Sequence, residues 1–93
     1  MDHSMAVGRL VTSCSDLLSQ PGLREVRHFL EHGEYEMAFE GLVLELMTTD
    51  RTPPDFSGRE WLALGEQLGL RTESVFVADF WPRFCEWVGR GSP

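Results

Sequence analysis

Two histidines four residues apart are the first candidates for chemistry in this sequence. His28 and His32 would share one helix face, and a pair at that spacing can begin a zinc site. The residue after His28 is Phe29, so the glutamate of a His-Glu-x-x-His motif is absent, and no third ligand is evident. Histidines also suit the negative end of a helix dipole. The pattern therefore favours two exposed histidines at a helix end and predicts no metal site.

The two cysteines are candidates for a nucleophile or for a disulfide. Cys85 lies between Phe84 and Glu86, an apolar and acidic setting that does not favour the thiolate that a nucleophile requires. Cys14 lies near the other end of the chain. We expect both on apolar helix faces as free thiols, which is the usual state of cysteines in a reducing compartment.

Carboxylates and glycines offer no clearer catalytic pattern. Glu36 and Glu40 stand one helical turn apart, but such pairs are more often a solvated face than a general acid and base. The glycines are scattered as helix stops, and Gly89-Arg90-Gly91 has no helix after it that could complete a phosphate loop. The sequence predicts no catalytic residue, no cofactor and no small-molecule substrate.

The charge is strongly acidic and unevenly distributed. Fifteen acids face eight bases, all of them arginine, which gives a net charge of -7. This balance disfavours nucleic acid and anionic membrane as partners, because both would be repelled. Residues 31–50 contain six of the acids and no arginine. Such a segment is either a solvated helix face or a surface that meets a basic partner.

The elements that must position these residues are helices. Apolar residues recur at helical spacing, no segment alternates with period two, and no Asn-Gly or Asp-Gly hairpin turn is present. Ser19 and Ser57 are predicted helix caps, and Gly33 and Gly69 are predicted helix stops. We predict an all-α fold, a single small bundle of four or five helices, with helices over about 5–18, 21–32, 34–48, 58–68 and 80–88.

The remaining segments receive separate predictions. Residues 49–56 form a loop around Pro53-Pro54, and residues 72–77 form a short apolar stretch of about one helical turn. The chain forms one domain over 1–93, with flexible ends at 1–4 and 89–93. The N-terminal residues are neither basic nor followed by an uninterrupted apolar run, so we expect no secretory signal and a cytoplasmic location.

The late aromatic residues should form most of the core, because a short chain needs large side chains to bury enough apolar area. One or two of the rings could instead lie at an interface, where aromatic residues often anchor partners. The rings concerned are those of Trp61, Phe76, Phe80, Trp81, Phe84 and Trp87.

The stretch from His28 to Glu40, which reads HFLEHGEYEMAFE, resembles the signature of MafI-type immunity proteins. The shared features are an apolar helix, a His-Gly-Glu-Tyr corner, an acidic-apolar helix and a break that contains proline. The Trp61 region and the closing Phe80-Trp81-Pro82 helix also fit, so the resemblance extends over about residues 23–88. It implies a small helical protein that binds and neutralises a cognate bacterial toxin, with neither a catalytic site nor a cofactor.

Composition and resemblance lead to the same expected function. Many such toxin domains are nucleases with basic grooves, and an acidic helical surface would associate with them rapidly. We predict a cognate toxin with a basic surface as the partner. The alternative is a cytosolic adaptor or regulatory subunit with no toxin partner. The predicted contact residues are Glu31, Glu34, Tyr35, Glu36, Glu40 and Glu45, with Tyr35 as an anchor.

Overall fold

Helices account for the regular secondary structure of the protein. The computed structural model describes residues 3–91, and no strand occurs among them. This confirms the predicted all-α bundle. The five helices are α1 (Ser4–Ser13), α2 (Gln20–Glu31), α3 (Tyr35–Thr49), α4 (Gly58–Gln67) and α5 (Phe80–Gly91), and a short 3-10 turn spans Ser15–Leu17.

Helix α3 is the central element of the bundle. It packs most extensively against α2, and it also contacts α1 and α5. Ala38, Phe39 and Glu40 are three consecutive residues that point to different sides of the helix, and all three are fully buried. A helix that is covered on several sides has no wide polar stripe, which agrees with the many apolar residues of α3.

An aromatic cluster joins α3 to the two C-terminal helices. The ring of Phe39 lies 5.8 Å from that of Trp61 on α4 and 5.7 Å from that of Phe84 on α5. The rings of Trp61 and Trp87 are 6.1 Å apart. These tilted and edge-on arrangements are the favourable ones for aromatic pairs. The prediction that most of the late aromatic residues form core is confirmed.

Caps and stops fall where the sequence predicts them. The Ser19 hydroxyl accepts the Gly22 N–H at 3.1 Å, and the Ser57 hydroxyl accepts the Glu60 N–H at 3.4 Å. Gly33 has a φ of 72°, in the left-handed region that ends a helix. These local signals therefore set the ends of α2 and the start of α4.

Two predicted boundaries are wrong. The first helix stops at Ser13 instead of residue 18. The hydroxyls of Ser13 and Ser15 donate to carbonyls three residues back, and such bonds compete with a continuing helix. At the other end α5 continues to Gly91, beyond the predicted end at residue 88, and the first helix already begins at Ser4. The flexibility predicted for residues 1–4 and 89–93 stays a prediction. Residues 1, 2, 92 and 93 lie outside the described part.

The two cysteines are unpaired but differ in environment. Cys14 is buried, and burial raises the pKa of its thiol despite a counteracting contact from the Ser13 hydroxyl. Both are free thiols as predicted, but Cys85 is exposed, so the expectation that it lies on an apolar helix face is wrong. The reason is rotational: Phe84 and Trp87 take the inward positions of α5, and Cys85 points away from them.

The cysteines should therefore differ in reactivity. With iodoacetamide under native conditions, Cys85 should be alkylated rapidly, and Cys14 only after denaturation, because burial both blocks it and disfavours its thiolate. Peptide mass mapping over time distinguishes the two sites. Equal labelling rates would show that the α1 end of the core opens readily.

Gly65 lies on α4 where this helix packs against α5. A Cβ there would lie 3.0 Å from the Trp81 ring and 3.1 Å from the Phe84 ring. Gly65→Ala should lower the free energy of unfolding by about 1–3 kcal/mol, because these packed rings cannot retreat. Gly89→Ala is the matched control, since a Cβ there meets nothing within 4 Å and helix propensity alone should stabilise by up to about 1 kcal/mol. Urea denaturation measures both, and a stabilised Gly65 variant would contradict the close packing.

Candidate partner-binding surface

A single buried carboxylate organises the loop between α4 and α5. Glu40 on α3 is fully buried, and it accepts three backbone N–H groups from this loop. The donors are Val75 at 2.7 Å, Phe76 at 2.8 Å and Val77 at 3.2 Å. Glu40 therefore cannot serve as one of the predicted surface contacts. It is correctly placed on α3, but its charge is used inside the protein.

The three hydrogen bonds also explain the shape of the loop. The sequence predicts about one helical turn over residues 72–77, but the structure has no helix there. In a helix these amides would bond to carbonyls four residues back. Here the charged carboxylate accepts them instead, and hydrogen bonds to a charged acceptor are about twice as strong as neutral ones. The loop thus takes an irregular conformation that Glu40 fixes.

The consequence of this anchoring is an exposed apolar ridge, formed by Val75 and Phe76. The two residues are 43% and 42% exposed. The Phe76 ring leans on Phe29 of α2, with 5.7 Å between the ring centroids. Of the late aromatic residues named above, Phe76 is the one that the structure places at the surface. Exposed aromatic side chains held by a fixed backbone are suited to anchoring a partner.

Two acidic grooves flank the apolar ridge. The α2–α3 groove, of about 370 Å³, contains Glu25 and Glu45. The α3–loop groove, of about 590 Å³, contains Glu36 and Glu73. No arginine lines either groove. The ion pairs recorded among residues 3–91 involve Glu66 and Asp79, and none of the groove acids. The ridge is thus an apolar strip between two negative depressions.

The acidic window, residues 31–50, does not form one continuous face. Glu36 and Glu45 are nine residues apart, about two and a half turns, so they lie on opposite sides of α3 and in different grooves. Glu31 shares a separate pocket with Arg24 and Arg27, which offset its charge locally. The apolar ridge of the loop lies between the two grooves and joins them into one surface.

The two remaining predicted contacts lie at the start of α3. Glu34 is exposed and directly precedes the helix, and Tyr35 is half-buried against the core. Tyr35 thus has part of its ring committed to packing, and its role as an anchor stays a prediction.

Sequence reasoning missed several members of this surface. Glu25 lies outside the acidic window, and Glu73 is isolated in the chain. The sequence predicts Val75 only as part of the apolar stretch of residues 72–77, with no role at the surface. One available signal was the position of the Val75-Phe76-Val77 triplet, which follows the predicted helix stop at Gly69 and precedes the helix predicted from residue 80. An apolar triplet between two helices that does not continue the apolar face of either helix is a candidate for exposure at the surface.

The remaining candidate from the sequence is the pair of histidines that could begin a metal site. His28 and His32 are both exposed, with ring centroids 4.3 Å apart, and the His32 ring nitrogen lies 2.9 Å from the His28 carbonyl. Within residues 3–91 no three His, Cys, Asp or Glu side chains are grouped as metal ligands would be. In the same part of the chain no helix has the length and apolar character needed to cross a membrane.

Comparison of the chain with protein-family models, with curated proteins and with solved structures found no match in any of the three.

The anchoring role of Glu40 is open to a direct test. Glu40→Gln keeps one carbonyl oxygen but turns an NH₂ group toward amide donors, so the free energy of unfolding should fall by about 1–3 kcal/mol. Hydrogen exchange of the Val75, Phe76 and Val77 amides should accelerate more than exchange in the core of α3, because the loop loses its acceptors.

Glu36→Gln is the matched control for this test. It lies one turn earlier on the same helix, and its side chain is exposed. Its melting temperature and amide exchange should equal those of the wild type. If Glu40→Gln were as stable as this control, the carboxylate would not hold the loop.

Proposed function

We propose that the protein is an immunity protein, which binds a cognate bacterial toxin domain in the cytoplasm and neutralises it without catalysing a reaction. The observation that carries the proposal is the apolar ridge of Val75 and Phe76 between two acidic grooves that contain no arginine. The resemblance of residues 28–40 to MafI-type immunity proteins supports the choice of a toxin as the partner.

The exposed aromatic ring would contribute affinity, and the surrounding carboxylates would contribute to the association rate. An exposed aromatic side chain on an anchored loop can enter a pocket of a partner with little loss of backbone entropy, because Glu40 already orders the backbone. The surrounding carboxylates would attract a basic surface and raise the association rate. A nuclease groove that normally holds a phosphate backbone is one such surface. Binding there would exclude the substrate of the toxin.

The second candidate function is a cytosolic adaptor or regulatory subunit that uses the same ridge to hold a different basic protein. The charge and the exposed ring favour any basic partner, and only the sequence resemblance selects a toxin. The two functions differ in what binding does: an immunity protein abolishes a lethal activity, and an adaptor does not.

Protection of a host cell is the direct test. The protein that co-purifies with this chain from its native host is identified and expressed in a heterologous bacterium with and without the chain. We expect growth arrest without the chain and growth restored with it. A partner that is harmless when expressed alone would contradict immunity and favour the adaptor function.

The charge of the two grooves should act through the association rate. Glu36→Gln combined with Glu45→Gln removes one carboxylate from each groove, and it leaves the buried Glu40 untouched. Association with the identified partner at low salt should slow by roughly 3- to 10-fold and lose part of its salt dependence, with a smaller effect on dissociation. Stopped-flow or surface binding kinetics over several salt concentrations measure this.

A control variant with the same change in net charge is Asp16→Asn combined with Glu86→Gln. Both residues are exposed, and neither lines a groove. This variant should associate nearly as fast as the wild type. Equal slowing of both double variants would show that net charge acts, and that the grooves are not the contact surface.

A further inference from the structure

The α2–α3 groove combines apolar walls, one aromatic ring and two carboxylates in a space of about 370 Å³. This volume is at the lower end of the range of roughly 300–1,000 Å³ for sites that hold small molecules. It is sufficient for one long side chain but not for a helix. We propose that this groove receives an arginine side chain of the partner protein, which makes it the specificity subsite of the surface. The inference rests on the proposed binding of a basic protein.

The walls of the groove suit the stem of an arginine. The apolar part of the lining is formed by Pro21 and Val26 of α2, by Leu44 of α3 and by Phe76 of the loop. Long basic side chains bury their methylene groups along apolar surfaces of this kind and keep the charged group at the polar end. The half-exposed Phe76 ring adds a face on which a guanidinium can stack.

Glu25 and Glu45 supply the carboxylates that line the groove. Glu45 is held in place, because its Oε1 accepts the Ser19 hydroxyl at 3.3 Å and the absence of a side chain at Gly22 leaves room for the carboxylate. Neither acid has an arginine partner among the ion pairs of the described residues. Two carboxylates alone would attract any cation. Carboxylates beside a ring and an apolar channel favour the planar, weakly hydrated guanidinium over the ammonium of lysine.

Gly41 forms part of the groove, in the middle of α3. Alanine is a much better helix former than glycine at such a position. Packing does not exclude alanine here, because a Cβ would lie 3.7 Å from Val26 and 3.8 Å from the Phe76 ring, at ordinary contact distances. A side chain larger than alanine would have to displace Val26 or the Phe76 ring, so the glycine keeps this part of the groove open.

A second copy of this chain is the competing occupant, because each chain carries eight arginines. The net charge of -7 on each copy opposes that association. A basic partner has no such penalty. The charge balance therefore selects a different protein as the source of the arginine.

The test uses N-acetyl-arginine-N-methylamide as the probe, in a titration of the ¹⁵N-labelled protein followed by NMR at low ionic strength. We expect saturable shifts of the Gly22, Gly41 and Phe76 amides, with a dissociation constant on the order of 1–10 mM, as suits a contact of one side chain. The citrulline analogue has the same shape without the charge, and it should cause no saturable shift. The lysine analogue should bind several-fold more weakly.

Three variants show whether the groove is responsible. Phe76→Leu keeps an apolar side chain but removes the ring face, Glu25→Gln with Glu45→Gln removes the charge, and Gly41→Leu fills the groove. Each should weaken binding of the probe at least about 5-fold, and Glu86→Gln should leave it unchanged. A variant counts only if its amide spectrum is otherwise that of the wild type. Because three different features are changed, the test survives if one variant fails to fold.

Three results would overturn the proposal. The first is a set of shifts spread evenly over exposed acids, and the second is undiminished binding to all three groove variants. The third is movement of the same amides with protein concentration in the absence of the probe, which would assign the groove to a second copy.

The proposal and the proposed function can fail separately. If the protein neutralises a toxin but the groove variants protect cells as well as the wild type, immunity stands and the arginine subsite is wrong. If the probe binds in the groove but no toxin is neutralised, the subsite stands and the partner is a different basic protein.

Discussion

The carboxylate of Glu40 is the group on which the candidate surface of this protein depends. A charge without partners in the core would be strongly unfavourable, and Glu40 is tolerated there because three backbone amides of the loop donate to it. The same bonds give the loop a fixed backbone without a helix or strand. One interaction therefore satisfies a buried charge and holds Val75 and Phe76 at the surface.

Helix α3 can carry that group because it lies at the centre of the bundle. Its apolar residues pack against α1, α2 and α5, which leaves α3 little freedom to shift or rotate. Glu40 is therefore held as firmly as the core side chains around it. The ridge therefore depends on the core packing indirectly. The core holds α3 in place, α3 positions the Glu40 carboxylate, and the carboxylate holds the loop.

The acidic residues are grouped in the sequence but lie at separate places on the folded protein. Six acids lie between residues 31 and 50, but they are divided among the end of α2, the turn before α3, α3 itself and the residue after it. Glu31 lies beside arginines, Glu40 is used internally, and Glu36 and Glu45 lie in separate grooves. Glu25 and Glu73, from distant parts of the chain, complete those grooves. A surface of mixed apolar and acidic character results, which suits a basic partner with both charged and apolar side chains.

The sequence by itself determined the features that arise within a few residues. Helical periodicity, the caps at Ser19 and Ser57 and the stop at Gly33 predicted the number and order of the helices, because these signals act within one or two turns. The candidate site was largely beyond its reach. Glu40 bonds to residues 35 to 37 positions later in the chain, and nothing local distinguishes it from the exposed Glu36. Burial is a property of the packed bundle, so only the tertiary structure decided which glutamate became an internal anchor and which aromatic ring stayed at the surface.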